Sequence, residues 1–187
     1  MENENKLRKE LLEWLETIVI SVVCVVLVFT FFFRMVGISG ASMEDTLHGS
    51  DRVIISGTFY TPKQGDIVVV SRDYMVEEDG TTPEPIIKRI IATEGQEVYL
   101  DFNNNTVYVD GQVLDEPYVK GIMGEGQIPI PNPHVVKEGC VFVLGDHRNV
   151  YKDSRTADVG DIDCRYILGK AIVRVYPFDQ IKVLANG

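Results

Sequence analysis

The sequence predicts a mainly β fold, in which a single N-terminal transmembrane helix precedes a folded-over, barrel-like β-sheet domain with a small β cap insertion. One observation behind this prediction is an uncharged apolar run near the N-terminus that approaches the length needed to cross a bilayer. The other is that short β-branched runs and turn residues follow it, without a sustained helical period. The 187 residues have room for one anchor and one modest folded domain.

The apolar run extends from Thr17 to Phe33, and no charge lies between Glu16 and Arg34. Since the run alone is slightly short for a hydrocarbon core of ~30 Å, the prediction places the anchor at residues 17–38. Arg34 would then extend its charge to the interface. The run ends in three phenylalanines and lacks the small residues that signal-peptide cleavage requires, so a retained anchor is favoured.

The basic residues around this run predict its orientation. Three basic residues precede the run, namely Lys6, Arg8 and Lys9, and only Arg34 follows it closely. Because the cytoplasmic flank of a span carries the excess of Lys and Arg, residues 1–16 are expected in the cytoplasm. Residues 39–187 are then expected outside a plasma membrane that the chain crosses once.

The strands of the β domain are predicted from apolar runs bounded by turns. These runs occupy residues 52–55, 66–70, 86–92, 95–100, 141–144 and 167–175. A hairpin is predicted over 106–114, with Asp110-Gly111 at its tip. The segment 117–133 is rich in Gly and Pro, so the cap is placed at about 103–136, and residues 73–85 are expected to form an exposed loop or hairpin.

Composition excludes several classes of protein. A formal net charge of −10 argues against nucleic-acid binding, which needs a basic surface to neutralise phosphates. Three cysteines are too few and too scattered for a disulfide scaffold or a zinc site. Cys140 and Cys164 could pair outside the cell, but free thiols are favoured.

Ser42 and Lys88 are the strongest candidates for chemistry. Ser42 lies in Ser39-Gly40-Ala41-Ser42-Met43, just beyond the apolar run, and Lys88 interrupts the apolar stretch 86–91. A serine hydroxyl needs a base to become a nucleophile, and a lysine serves as that base only when burial keeps its amine neutral. The pair therefore suggests a membrane-tethered serine hydrolase. The strand pattern taken alone favours the alternative that Lys88 lies in solvent on a half-exposed strand.

A second group of polar residues, 145–155, follows a predicted apolar strand. A charged segment of this kind is usually a solvated turn. Its concentration of Asp, Arg and Ser could instead form an ion-pair network that fixes an active site.

Taken together, four segments resemble the type I signal peptidases, membrane-bound serine–lysine enzymes that remove signal peptides from exported proteins. In chain order they are residues 42–47 (SMEDTL), 65–68 (GDIV), 88–91 (KRII) and 145–155, which begins GDHR and ends DSR. One such segment is a weak signal, whereas four in order behind an apolar run are specific.

The resemblance implies roles for individual residues. Ser42 would be the nucleophile and Lys88 the general base, and the Ser42 backbone N–H would meet the developing oxyanion. Gly40, Ala41 and Met43 would form the nucleophile loop. The residues that would support the site are Arg89, Asp146, Tyr151, Asp153, Ser154 and Arg155. The resemblance implies no metal or organic cofactor.

The resemblance also implies partners. Substrates would be exported preproteins with small residues at the first and third positions before the cut, and the lipid bilayer would hold the anchor. No nucleic-acid partner is expected.

Three positions depart from the family pattern. Asp45 stands where the family usually has proline, and an inward-pointing Asp45 would raise the Lys88 pKa, which is wrong for a base. Tyr151 replaces the serine that normally helps to orient the lysine. His147 replaces an asparagine, a milder change.

Other functions compete with this interpretation. His147 beside Asp146 suggests a Ser-His-Asp triad, although adjacent residues tend to point apart and a surface histidine is favoured. Self-cleavage, as in the SOS repressor-like proteins, is disfavoured because those carry a DNA-binding domain where this chain has an apolar helix. Outside enzymology, the chain could be a catalytically impaired, membrane-anchored β module that binds exported chains or a partner protein.

Overall fold

The structure is a computed structural model that describes residues 2–72, 84–125 and 129–184. The chain divides into two compact units, Met1–Arg34 and Met35–Gly187. The first contains one helix and the second contains two β-sheets.

The first unit is helix α1, Glu2–Phe32. Its Lys6–Phe32 portion is long and apolar enough to cross a membrane, with a mean hydropathy of 2.6 over its most apolar window. The hydroxyls of Thr17 and Ser21 each donate to the carbonyl one turn earlier, at 2.8 Å. These bonds satisfy two polar groups that would otherwise be costly in an apolar environment.

The main sheet has eight strands and is curled and antiparallel through its centre. Its order is β1-β2-β11-β3-β4-β9-β10, and β12 also pairs with β11. The strands are β1 Arg34–Gly37, β2 Arg52–Ser56, β3 Ile67–Val70, β4 Ile86–Thr93, β9 Cys140–Leu144, β10 Ile162–Asp163, β11 Ile167–Tyr176 and β12 Lys182–Val183. The ten-residue β11 pairs with β3 through its first half and with β2 through its second half, which allows the sheet to curl. The predicted mainly β fold is thereby confirmed.

The second sheet has four strands in the order β7-β6-β5-β8. They are β5 Glu97–Asp101, β6 Thr106–Val109, β7 Gln112–Val113 and β8 His134–Val135. The predicted hairpin is present, and Asp110 and Gly111 at its tip have the positive φ angles, 50° and 76°, that a two-residue type I′ turn requires. Because β5 begins at Glu97, the sheet starts before the cap boundary placed at residue 103.

The predicted anchor extends to Ile38, whereas the helix itself is shorter. The helix ends at Phe32, and Arg34–Gly37 forms β1 instead. Ile38 is buried in the core of the β domain beside Val53 and Ile55. Hydropathy alone does not distinguish residues covered by a bilayer from residues covered by a protein core, so the apolar pattern does not show where the helix ends.

The central strands are buried on both faces. All four residues of β3 are buried, as are the six middle residues of β4. One apolar cluster packs beneath the β2–β11–β3 face, and another fills the space between β4, β9 and the second sheet. Strand β4 therefore carries its side chains into protein on both sides, which determines the environment of Lys88.

Two further predictions concern cysteines and a loop. Cys24, Cys140 and Cys164 are all free thiols. Most of the loop predicted over 73–85 lies outside the described residues.

Candidate active site

Ser42 lies on a turn that the core holds from one side. Its neighbour Met43 is buried, and so is Leu47, whose N–H donates to the Met43 carbonyl at 2.8 Å. Gly40, which leads into the turn, has a φ of 87°, a value that favours glycine. The turn is thus anchored by two apolar side chains while the half-buried Ser42 remains accessible.

The other side of the turn packs directly against the backbone that follows β9. A Cβ added to Gly145 would lie 2.4 Å from the Ser42 carbonyl oxygen, so only glycine fits there. Two residues later, the N–H of His147 donates to the same oxygen at 3.0 Å. These contacts join the segment 145–155 to the turn that carries Ser42.

Lys88 is 2% exposed and lies opposite Val68 of β3. The alternative that it faces solvent is wrong, because β4 is covered on both faces. A hydrogen bond joins its Nζ to the Ser42 Oγ. Burial lowers the pKa of Lys88 to about 8, against the opposing effect of the nearby Asp153 carboxylate. A substantial fraction of the amine is therefore neutral under mildly alkaline conditions.

Arg89, the next residue on β4, binds Asp146 through two nearly parallel hydrogen bonds of 2.9 and 2.7 Å. Asp146 also accepts a hydrogen bond from the Thr46 hydroxyl at 2.6 Å. The Arg89 guanidinium lies 3.7 Å from the centre of the Tyr118 ring and donates to the Gly65 carbonyl. This buried pair links β4, the turn that carries Ser42 and the segment after β9.

Asp153, Ser154 and Arg155 are almost completely buried, so the interpretation of 145–155 as a solvated turn does not hold for its last residues. Arg155 Nε and Nη2 contact the two Asp153 oxygens at 2.8 Å each. The hydroxyl of Ser154 accepts from the Val143 N–H at 3.0 Å. Asp153 also accepts from the Gly145 N–H at 3.2 Å. The network fixes the segment against the end of β9.

In the described part of the chain, no hydrogen bond joins Lys88 to Tyr151, which stands where the family has the serine that orients the lysine. The Tyr151 side chain is 42% exposed, and its ring lies 5.0 Å from the Arg155 guanidinium. Its hydroxyl occupies the space that a Cβ on Gly124 would fill. Among the described residues, Lys88 Nζ is hydrogen-bonded to Ser42 alone.

Asp45 points outward. Its side chain is 71% exposed and pairs with Lys120 at 2.6 Å. Lys120, through its side-chain hydrogen bond, holds the pKa of Asp45 below its usual value. The Asp45 carboxylate is therefore paired at the surface and does not point inward, where it would raise the Lys88 pKa.

His147 and Asp146 do not form a triad with Ser42. The carboxylate of Asp146 binds Arg89, while the Nδ1 of His147 contacts the Ala41 carbonyl oxygen at 3.1 Å. Adjacent side chains point apart, as expected for neighbours in an extended segment.

A cavity of about 400 Å³ opens beside the two central residues. Its walls include Ser42 and Lys88, the apolar residues Pro85, Ile86, Ile87 and Val150, and the charged residues Arg72, Glu84 and Lys152. The charged three were not identified from the sequence, since they come from separate segments without a local motif. Within the described ranges, no group of three His, Cys, Asp or Glu side chains is arranged to hold a metal ion.

Comparison with known proteins shows which family the chain resembles. The family model described as signal peptidase, peptidase S26, matches residues 11–176. The chain is 32% identical to signal peptidase IB of Staphylococcus aureus strain MRSA252, covering 96% of this chain and 97% of that protein. It is 30% identical to signal peptidase I of Bacillus licheniformis, covering 97% of each.

A solved structure is also similar, a signal peptidase I from Enterococcus faecalis V583. The match has a TM-score of 0.46 and 24% identity, and covers 60% of this chain and 98% of that one. The family model and the two bacterial relatives confirm the resemblance seen in the motifs. The chain belongs to the signal peptidase family, peptidase S26.

Proposed function

We propose that this chain is a membrane-anchored serine endopeptidase that cleaves signal peptides from exported preproteins, with Ser42 as nucleophile and Lys88 as general base. The observation that carries the proposal is the hydrogen bond between Ser42 Oγ and the buried Lys88 Nζ. Membership of the signal peptidase family supplies the reaction class.

The chemistry begins with a neutral Lys88. Its amine accepts the Ser42 hydroxyl proton as Oγ attacks the scissile carbonyl carbon and forms a tetrahedral intermediate. The intermediate collapses as the C–N bond breaks, and Lys88 returns the proton to the leaving amine. This step leaves the signal peptide as an ester on Ser42. Water, deprotonated by Lys88, then attacks the ester carbonyl carbon. As the bond from that carbon to Ser42 Oγ breaks, Lys88 returns the proton to Oγ and the peptide leaves as a carboxylic acid.

The oxyanion of each intermediate needs a hydrogen-bond donor. Within the described ranges the backbone N–H of Ser42 donates to no protein acceptor, so it is available for this role. Removing one donor of this type from a serine peptidase costs roughly two to three orders of magnitude in rate.

The buried ion pairs act as supports. Arg89 with Asp146, and Arg155 with Asp153, satisfy each other's charges through hydrogen bonds of 2.7–2.9 Å. At Lys88, burial outweighs the effect of the Asp153 and Asp146 carboxylates on the pKa, and Arg155 opposes that effect. Ser154 adds the hydrogen bond that holds the segment to β9.

The substrate would lie in the cavity beside Ser42. Its Pro85, Ile86 and Ile87 lining suits small apolar side chains, in keeping with small residues at the first and third positions before the cut. Helix α1 would span the plasma membrane once, with its basic N-terminus in the cytoplasm. The β domain would then meet preproteins on the outer face.

The experiment that tests the proposal is cleavage of a preprotein with an Ala-x-Ala site by the detergent-solubilised chain, with Ser42→Ala and Lys88→Ala in parallel. Wild-type processing that disappears in both variants supports the mechanism. Activity that survives in Lys88→Ala contradicts the lysine base. A folded wild-type chain without activity would instead favour a binding module for exported chains.

The membrane topology has its own test. In right-side-out vesicles, added protease is expected to degrade the β domain and leave a protected fragment that contains α1. Full protection of the β domain would contradict the proposed orientation.

A further inference from the structure

One residue, His147, holds both carbonyl groups that flank the Cα of the nucleophile. Its backbone N–H donates to the Ser42 carbonyl at 3.0 Å, and its Nδ1 contacts the Ala41 carbonyl at 3.1 Å. A carbonyl oxygen can only accept a hydrogen bond, so Nδ1 carries a proton in this contact. The main chain and side chain of His147 thus form two anchors for one turn.

The Ala41 carbonyl matters because of the peptide group to which it belongs. That group is planar, and its other end is the Ser42 N–H, the proposed oxyanion donor. Fixing the oxygen therefore fixes the direction of the N–H. A hydrogen bond to the oxygen also polarises the amide and strengthens its N–H as a donor.

A second, weaker contact shares the oxygen. The N–H of Glu44 reaches the Ala41 carbonyl at 3.3 Å, and the Glu44 carboxylate lies 3.8 Å from His147 Nδ1. The longer backbone bond lies within the turn itself. The imidazole contact comes from outside the turn, and so ties its position to the rest of the domain.

His147 is itself firmly placed. It forms a parallel bridge with Lys120, whose N–H donates to the Asp146 carbonyl at 2.8 Å. On the other side, the N–H of Arg148 donates to the Lys120 carbonyl at 2.7 Å. The preceding Asp146 is locked to Arg89. Such a support can hold a donor within the narrow tolerance that catalysis requires.

We infer that His147 is a positioning residue that orients and polarises the Ala41–Ser42 peptide for oxyanion binding. The inference rests on the proposed function and adds to it a role for a side chain that transfers no proton in the reaction. Both the neutral ring with its proton on Nδ1 and the imidazolium donate from this atom. The contact therefore persists whatever the charge of the ring.

The test compares His147→Ala, His147→Asn and His147→Gln in the full-length, detergent-solubilised chain. The Asn amide nitrogen is the same number of bonds from Cα as Nδ1, whereas the Gln nitrogen corresponds to Nε2. We expect kcat to fall about tenfold in the Ala and Gln variants, with KM unchanged and with near wild-type kcat in the Asn variant. His48→Ala, which removes an exposed imidazole that follows the same turn, serves as the matched control and is expected to keep wild-type kcat.

Four results would overturn the inference. They are wild-type kcat in His147→Ala, equal recovery by Asn and Gln, an effect confined to KM, and an altered pH midpoint in His147→Ala. If the Ala variant fails to fold, the comparison of kcat between the Asn and Gln variants decides the question, provided that these two variants have the same melting temperature. Wild-type protein without Ser42-dependent cleavage would overturn the proposed function as well, whereas an active enzyme insensitive to His147 overturns this inference alone.

Discussion

Lys88 and Ser42 lie 46 positions apart in the sequence and are joined by a hydrogen bond at a point where the lysine is 2% exposed. Burial is the largest influence on the Lys88 pKa and lowers this pKa. Asp153 and Asp146 oppose this effect, whereas Arg155 and Lys152 assist it. Desolvation prevails and lowers the Lys88 pKa to about 8, so the amine can act as a base.

Replacing Lys88 by Met is expected to stabilise the protein at neutral pH. The native pKa of about 8 lies below the ordinary value of 10.5, so the folded state binds fewer protons than the unfolded state between these values. The free energy of unfolding therefore rises with pH across this window. Below the window the folded protein bears the full cost of burying a charged amine. This cost is roughly 3 kcal/mol at pH 7, from about 1.4 kcal/mol per pKa unit.

The measurement is denaturant unfolding of Lys88→Met and wild type in detergent, at neutral pH and near pH 10. The stabilisation by Met should shrink as pH rises. A Met variant less stable than wild type at neutral pH would contradict a desolvated lysine.

Arg89→Met is expected to destabilise the β domain strongly. The substitution leaves Asp146 buried without its partner, which typically costs about 3–5 kcal/mol. Thermal unfolding followed by circular dichroism measures the loss. Arg165→Met is the matched control, because its pair with Asp163 is exposed, and it should unfold as the wild type does. Equal losses in the two variants would argue against a structural role for the Arg89 pair.

Gly145→Ala is expected to displace Ser42, the proposed nucleophile. The new Cβ would lie 2.4 Å from the Ser42 carbonyl and 3.4 Å from the Ser42 Cβ, so the turn must move away. Since a shift of about 1 Å can cost roughly a hundredfold in rate, kcat should fall by at least tenfold. Gly37→Ala adds the same methyl group where nothing lies within 4 Å, and should keep wild-type kcat. Full activity in Gly145→Ala would show that the turn is not held as described.

Asp45→Asn is expected to leave catalysis unchanged. The carboxylate is exposed and paired with Lys120, and exposed ion pairs contribute little to stability. Its loss should shift neither the melting temperature nor the pH dependence of cleavage measurably. A midpoint that moves to lower pH in the Asn variant would mean that Asp45 does act on Lys88.

Much of the fold could be predicted because its longer strands follow simple rules. The β-branched runs became β2, β3, β4, β5, β9 and β11, and the Asp110-Gly111 turn gave the hairpin. The two-residue strands β8, β10 and β12 were not predicted, because two residues show no alternation. The predicted anchor includes the residues of β1, because apolar residues show the same pattern whether lipid or protein covers them.

The site was only partly accessible from the sequence. The motifs drew attention to Ser42 and Lys88, yet alternation on β4 predicted an exposed lysine, because a strand buried on both faces breaks the usual pattern. The outward direction of Asp45 depends on Lys120, which is distant in sequence. The contact between His147 and Ala41 arises where two loops meet, so no local sequence pattern predicts it.

The pH dependence of kcat/KM for an Ala-x-Ala peptide decides whether Lys88 is the general base. We expect a tenfold rise per pH unit below a midpoint near 8, where Lys88 loses its proton, and a plateau above it. A midpoint near 6.5 that disappears in His147→Asn would contradict the account, because it would identify an imidazole as the base.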